Sequence, residues 1–153
     1  MTQLHPYLTF NGNCEEAFEF YKSVFGGEFT FLGRFSEMPE SPDYTVSEED
    51  KNKIMHVSLP IDGDYILMGS DAGGDWAPNT VVGNNFSLSL TVASKEEADK
   101  LHSQLSEAGT ITMPMGDTFW GDYFGMCVDK FGISWMISYN AQQQQEQQHT
   151  GKD

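Results

Sequence analysis

Positive charge is scarce in this chain. Eight Lys and Arg stand against 23 Asp and Glu in 153 residues, for a formal net charge of −15. Such a surface repels phosphate, which excludes nucleic acid and anionic membrane as partners. It also leaves few cations for a nucleotide, a CoA or a phosphorylated ligand. Arg34 is the sole arginine, read either as a solvated strand residue or as an anion anchor. Cysteine is nearly absent as well: Cys14 and Cys127 make no disulfide framework, in keeping with a reducing compartment. Cys14 is followed by Glu15 and Glu16, which work against a lowered thiol pKa and make it an inert packing residue. No apolar run approaches the roughly 20 residues that span a bilayer. The N-terminus lacks the basic and apolar regions of a secretory signal, so the expected location is the cytoplasm. The glycine-rich stretch SDAGGDWAPNTVVGNN (Ser70 to Asn85) has no Lys and precedes a strand, which argues against a phosphate cradle.

What is present is a globular composition, 39% hydrophobic and 13% aromatic, and one unit written twice. Leu4 to Phe10 alternates, with Leu4, Leu8 and Phe10 on one face and His5, Tyr7 and Thr9 on the other. Asn11-Gly12-Asn13 breaks the strand and offers Asn13 as an N-cap. Ala17, Phe18, Tyr21, Val24 and Phe25 then recur at helical spacing, Gly26-Gly27 ends the helix, and Phe29 to Phe35 is a second strand. Further along, FSLSLTV (Phe86 to Val92) alternates again and Ser94 is a cap. Lys95 to Ala108 is amphipathic, with Glu96-Glu97-Ala98 echoing Glu15-Glu16-Ala17, and Gly109 closes that helix. IDGDYILM and DKFGISWM each read as a tight turn feeding a strand that ends in Met. A strand-helix-strand-strand-strand module repeating at roughly eighty residues accounts for the chain.

Between these elements lie a Pro-containing acidic loop (36–53), the strand Lys53 to Ile61, and an Asp62-Gly63 hairpin turn into Tyr65 to Gly69. The strand Lys53 to Ile61 carries Met55, Val57 and Leu59 on one face and His56 and Ser58 on the other. The expected division is a first module over 1–75, a linker and second module over 76–140, and a disordered Gln-rich tail over 141–153. The stretch Met115 to Tyr139 holds two or three strands rich in aromatics, among them one through Phe119 and Trp120.

The stretches NGNCEEAFEFYKSVFGGE, IMHVSLPIDGDYILMGSDA and DTFWGDYFGMCVDKFGISWMI resemble the vicinal oxygen chelate superfamily. That superfamily includes glyoxalase I, bleomycin-resistance proteins and extradiol dioxygenases. Within it the chain looks like the PhnB-like group, sometimes labelled demethylubiquinone methyltransferase-like. The resemblance implies an α+β fold of two βαβββ modules whose curved mixed sheets surround a cavity, usually in a homodimer. It implies that Leu88, Leu90 and Val92 pack on the helix. His5, Tyr7 and Thr9, and Ser87, Ser89 and Thr91, then face the cavity, with Met68 and Met136 as its wall and His56 beside it. Phe119 and Trp120 either stack on a flat ligand or fill the core.

Enzymes of the superfamily hold one divalent metal through four side chains, from the first and last strands of each module. The matching positions here are His5, Met68, Ser87 and Met136. One imidazole among four is a poor set for zinc, nickel, manganese or iron, so no metal and no cofactor are expected. The alternative adds His56 to His5, with Asp117 or Asp122 as the acid. Three readings follow. The favoured one is a module binding a small apolar or cationic molecule in a metal-poor cavity. The second is a divergent metal-dependent lyase, isomerase or dioxygenase using His5 and His56. The third is a scaffold with no small-molecule role. No catalytic residue is assigned, and nothing resembles a glycine-rich nucleotide-binding strand-turn-helix.

Overall fold

Alternation along each strand decides which side of its sheet is buried, and the computed structural model, which describes residues 2–39, 46–73 and 80–141, shows it in both halves of the chain. The chain divides into two units, Met1–Val81 and Val82–Asp153. The first contains β1 (Tyr7–Phe10), α1 (Cys14–Phe25), β2 (Phe31–Arg34), a 3-10 turn (Phe35–Glu37), β3 (Ile54–Ile61) and β4 (Tyr65–Asp71). The second contains β5 (Leu88–Thr91), α2 (Lys95–Leu105), β6 (Thr110–Asp117), β7 (Tyr123–Val128) and β8 (Ser134–Tyr139). Each unit is therefore a βαβββ module, and the fold is α+β.

The sheets have matching orders, β1-β4-β3-β2 and β5-β8-β7-β6. In each, the first strand pairs in parallel with the last, and the remaining pairs are antiparallel. In the first sheet Leu8, Phe10, Val57, Leu59 and Leu67 are buried, and α1 lies against β3 and β4. Phe18 of α1 meets Phe10 and Tyr21 edge-on, at centroid distances of 6.2 and 5.5 Å. Full burial of a ring such as Phe18 contributes about 1.5–3 kcal/mol. In the second unit α2 lies against β6, β7 and β8, and Val92, Ala98, Leu101, Leu105, Trp135 and Ile137 form the core.

Two buried aspartates and one buried histidine hold backbone that the ladders leave unpaired. Asp71 Oδ1 accepts from the N–H groups of Gly12 and Cys14, and its Oδ2 accepts from that of Ile54. Asp129 Oδ1 accepts from the N–H groups of Phe131 and Ile133, closing the β7–β8 turn, while Trp135 Nε1 donates to Oδ2 at 2.8 Å. His102 of α2 places Nε2 3.2 Å from both the Met113 and Met126 carbonyls, where β6 and β7 slip register. Two carbonyl acceptors require the Nε2–H tautomer.

The structure corrects several local expectations. Leu4 is 94% exposed rather than on the core face, because β1 starts only at Tyr7. Asn13 occupies the cap position of α1 but its side chain makes no capping bond; Asp71 takes that role. Ser94 does cap α2, accepting from Glu97 N–H, and the Glu97 carboxylate accepts from Ala93 N–H. The α2 helix stops at Leu105, and Ala108 takes the positive φ at its exit. Gly109 is required for another reason: a Cβ there would lie 2.2 Å from the Val128 carbonyl oxygen. Ser70 and Asp71 extend β4 beyond the expected end at Gly69. Phe119 and Trp120 occupy the β6–β7 turn rather than a strand. Within the stretch 36–53, backbone bonds from Phe35 and Ser36 to Lys53 and Lys51 pin the described ends. Residues 40–45 of that stretch, the linker's Trp76 and Pro78, and the Gln-rich tail beyond 141 lie outside the described residues. Among the described residues no helix is long and apolar enough to cross a membrane.

Candidate functional site

Opposite α1, the first sheet presents an open face that the register assembles row by row. Tyr7 pairs with Met68, Met68 with Ser58, and Ser58 with Phe31, so one residue from each strand stands in line. The next row sets Thr9 beside Ser70 and His56 beside Gly33. Tyr7 and Phe31 are each 48% exposed, whereas Leu8 and Val57, pointing the other way, are buried. His56 is the centre of this face. Its Nε2 lies 2.9 Å from Ser58 Oγ and its Nδ1 3.4 Å from Tyr7 Oη. The Tyr7 and Phe31 rings flank the imidazole with centroids 5.6 and 5.8 Å away.

The second sheet repeats the plan with softer chemistry. Ser89 pairs with Met136, Met136 with Met126, and Met126 with Met113; Thr91 pairs with Ser138 and Ser138 with Phe124. Thioethers thus stand where the first sheet has Ser58 and Phe31, and Phe124 stands where it has His56. At the end of this sheet the Thr118–Asp122 turn projects Phe119, 98% exposed, and Trp120, 53% exposed. Trp120 rests edge-on against Phe119 and Phe124 at 4.9 and 6.0 Å, and its Nε1 donates to Asp122 Oδ2 at 3.0 Å. Asn140 Nδ2 donates to the other Asp122 oxygen at 2.6 Å.

Residues 2–138 match the family described as 3-demethylubiquinone-9 3-methyltransferase. The chain belongs to that PhnB-like family. Protein YjdN of Escherichia coli (strain K12) is 34% identical over 146 residues, covering 92% of this chain and 97% of YjdN. Among solved structures, protein PA1353 from Pseudomonas aeruginosa is 40% identical with a TM-score of 0.75, covering 92% of this chain and 98% of its own. The Bacillus cereus PhnB protein, described as a putative 3-demethylubiquinone-9 3-methyltransferase, is 26% identical with a TM-score of 0.64, covering 90% and 99%. A glyoxalase-related enzyme from Fulvimarina pelagi (20% identical, TM-score 0.57, covering 91% of this chain and 89% of its own) and a glyoxalase/bleomycin resistance protein/dioxygenase family enzyme from Burkholderia phytofirmans (18% identical, TM-score 0.55, covering 87% and 95%) share the fold.

Taken module by module, the metal-ligand positions of the superfamily hold one imidazole and one thioether (His5, Met68), then one hydroxyl and one thioether (Ser87, Met136). Met68 and Met136 occupy matching places in β4 and β8, opposite Tyr7 and Ser89. Zinc, nickel, manganese and ferrous iron prefer imidazole, carboxylate or thiolate, and this donor set does not fit them. Among the described residues no three His, Cys, Asp or Glu side chains lie close enough to hold an ion. His5 precedes β1, half-buried, with Nε2 3.4 Å from Gln3 Oε1. Ser87 precedes β5, half-buried. Asp122 is engaged by Trp120 and Asn140, and Asp117 faces Lys95 Nζ at 3.4 Å.

The remaining candidates resolve into structural roles. Arg34 is ion-paired with Glu15 of α1 and donates to the Asn52 carbonyl at 2.8 Å, tying β2 to the helix. Cys14 is buried, and burial first, then the charges of Asp71 and Glu15, hold its thiol far above the usual range. Of the residues that build the open faces, sequence alone put His56 and Ser58 together, two apart on one strand. Phe31 and Met126 passed as ordinary strand residues.

Proposed function

We propose that this protein binds a small, largely apolar molecule against the open faces of its sheets, working as a cytoplasmic homodimer. The observation that carries the reading is the Tyr7–His56–Ser58 contact set, a chain of polar atoms standing between two half-exposed rings on the first sheet. Ligand sites are apolar surfaces with a few placed polar groups, and this face has that composition. The formal charge of −15 favours an uncharged or cationic guest over an anion. The methyltransferase of the family description does not follow from its name: neither β–α junction, Asn11–Asn13 or Ala93–Ser94, carries the glycine-rich turn that cradles a nucleotide.

A thermal-shift screen of small molecules, with S-adenosylmethionine included, tests the reading. A ligand at a hundred times its Kd stabilises by about 2.7 kcal/mol, which raises Tm by several degrees in a chain of this size. Hits are expected to lose their effect in Tyr7→Ala and His56→Ala. A screen without hits, or hits indifferent to both changes, sinks it.

A second reading, a metal-dependent lyase, isomerase or dioxygenase, has one observation in its favour. His5 Nδ1 is buried with no hydrogen-bond partner among the described residues, the state of an imidazole nitrogen awaiting a ligand. Elemental analysis after exposure to zinc, nickel, manganese and ferrous iron separates the two. Stoichiometric metal that disappears in a His5→Ala, His56→Ala double variant would favour the second reading, which turnover of a vicinal-oxygen substrate would then have to establish.

A further inference from the structure

We propose that the open face of the first sheet is a receptor for a flat, uncharged aromatic molecule bearing a hydroxyl group, which donates its hydrogen bond to His56 Nδ1. This rests on the ligand-binding reading above and names the class of ligand. Its basis is the unequal satisfaction of the two imidazole nitrogens. Nε2 has Ser58 Oγ at 2.9 Å, a well-made hydrogen bond, while among the described residues Nδ1 has only Tyr7 Oη at 3.4 Å, well beyond the O–H···N optimum. A neutral imidazole carries a single N–H. We assign the imidazole proton to Nε2, donating to Ser58 Oγ; the Nδ1 lone pair is then left with the long Tyr7 contact, which a better-placed donor displaces.

The surroundings select what brings that donor. The strand order puts Tyr7 on one side of His56 and Phe31 on the other, and both rings are 48% exposed. Two aromatic faces flanking an acceptor suit a planar ring. No residue of the two rows, Tyr7-Met68-Ser58-Phe31 and Thr9-Ser70-His56-Gly33, is a Lys or Arg, so neither a carboxylate nor an ionised phenolate finds a permanent counter-charge there. The formal charge of −15 opposes both further. A neutral aromatic alcohol meets every one of these conditions.

Calorimetric titration of the full chain at neutral pH with 2-naphthol and with its methyl ether, 2-methoxynaphthalene, tests this. The two share a ring system and differ in the one O–H donor. In the native protein 2-naphthol is expected to bind about tenfold more tightly, the contribution of one buried hydrogen bond. In His56→Phe, which keeps an aromatic ring and removes the acceptor, the two affinities should become equal. His56→Leu serves the same purpose if the Phe variant does not fold. Equal affinities in the native protein overturn the proposal, as does a preference for the hydroxyl that survives both substitutions. Binding of neither compound also overturns it. In that case, screen hits of another chemistry that are lost in Tyr7→Ala would leave the broader ligand-binding reading standing.

Discussion

Tyr7 and His56 sit on strands that are not neighbours, with β4 running between them, yet Tyr7 Oη reaches to 3.4 Å from His56 Nδ1 and the ring centroids lie 5.6 Å apart. A tyrosine is long enough to cross one intervening strand on a common sheet face. Because that hydrogen bond is long and Tyr7 is half-exposed, removing the hydroxyl costs little. Tyr7→Phe is expected to stay within about 0.5 kcal/mol of the native stability in urea. It should bind 2-naphthol at least as tightly as the native protein, since a competitor for Nδ1 is gone. Tyr7→Ala, which removes the ring, should weaken 2-naphthol and its methyl ether alike. Calorimetry on the pair of variants checks both statements.

Asp71 is the residue on which the first module closes. Its carboxylate receives the N–H groups of Gly12, Cys14 and Ile54 while only 4% exposed. Asp71→Ala strands three backbone donors, two of them at the entry to α1. Each buried unsatisfied group costs about 1–3 kcal/mol, so a loss of roughly 3 kcal/mol or more is expected by urea denaturation. Asp71→Asn keeps one carbonyl acceptor and should cost visibly less. Equal, small losses in both variants would show that the β1–α1 junction does not depend on this carboxylate.

Tyr7 and His56 mark where sequence reading succeeds and where it stops. The paired modules were legible because alternation at Leu8–Phe10 and Leu88–Val92, and helical spacing at Ala17–Tyr21 and Ala98–Leu105, are local signals. His56 and Ser58 share a face for the same reason. The meeting of His56 with Tyr7, 49 positions away, depends on how β1 registers on β4 and β4 on β3, which no local pattern encodes. Asn13 offered the ordinary capping side chain, and nothing nearby indicated that an aspartate at the far end of β4 would supply the bond instead. His102 stands in the last turn of α2, and only the slipped β6–β7 register gives it two carbonyls to hold.

The buried thiols give an alkaline signature. Burial pushes the Cys127 thiol from its ordinary 9.0 up to about 11, with the Asp129 charge adding to it, and burial with Asp71 and Glu15 raises Cys14 further. Both folded-state values exceed those of the unfolded chain, whose thiols ionise near their ordinary pKa. The folded form therefore keeps this contribution in full below about pH 9 and loses it as pH rises through 11. Urea titrations across that window should show the native protein losing stability more steeply than a Cys14→Ala, Cys127→Ala variant, whatever the two differ by at pH 7. Parallel slopes would remove the thiols from the account. In the native state neither thiol should react appreciably with a disulfide reagent at neutral pH.

Trp120 separates a binding role from a packing role at the edge of the second sheet. Its indole is 53% exposed, braced by Phe119 and Phe124 and held through Asp122. A side chain with half its surface in water contributes little to the core, so Trp120→Ala is expected to cost no more than about 1 kcal/mol. If the indole stacks on a guest of the second sheet's own open face, a ligand of that face should bind the variant several-fold more weakly, while Trp120→Phe, which keeps a ring in place, should recover most of the affinity. A loss of 3 kcal/mol or more in Trp120→Ala would instead assign the indole to packing. Trp120→Phe would then restore stability and leave affinity where Trp120→Ala had it.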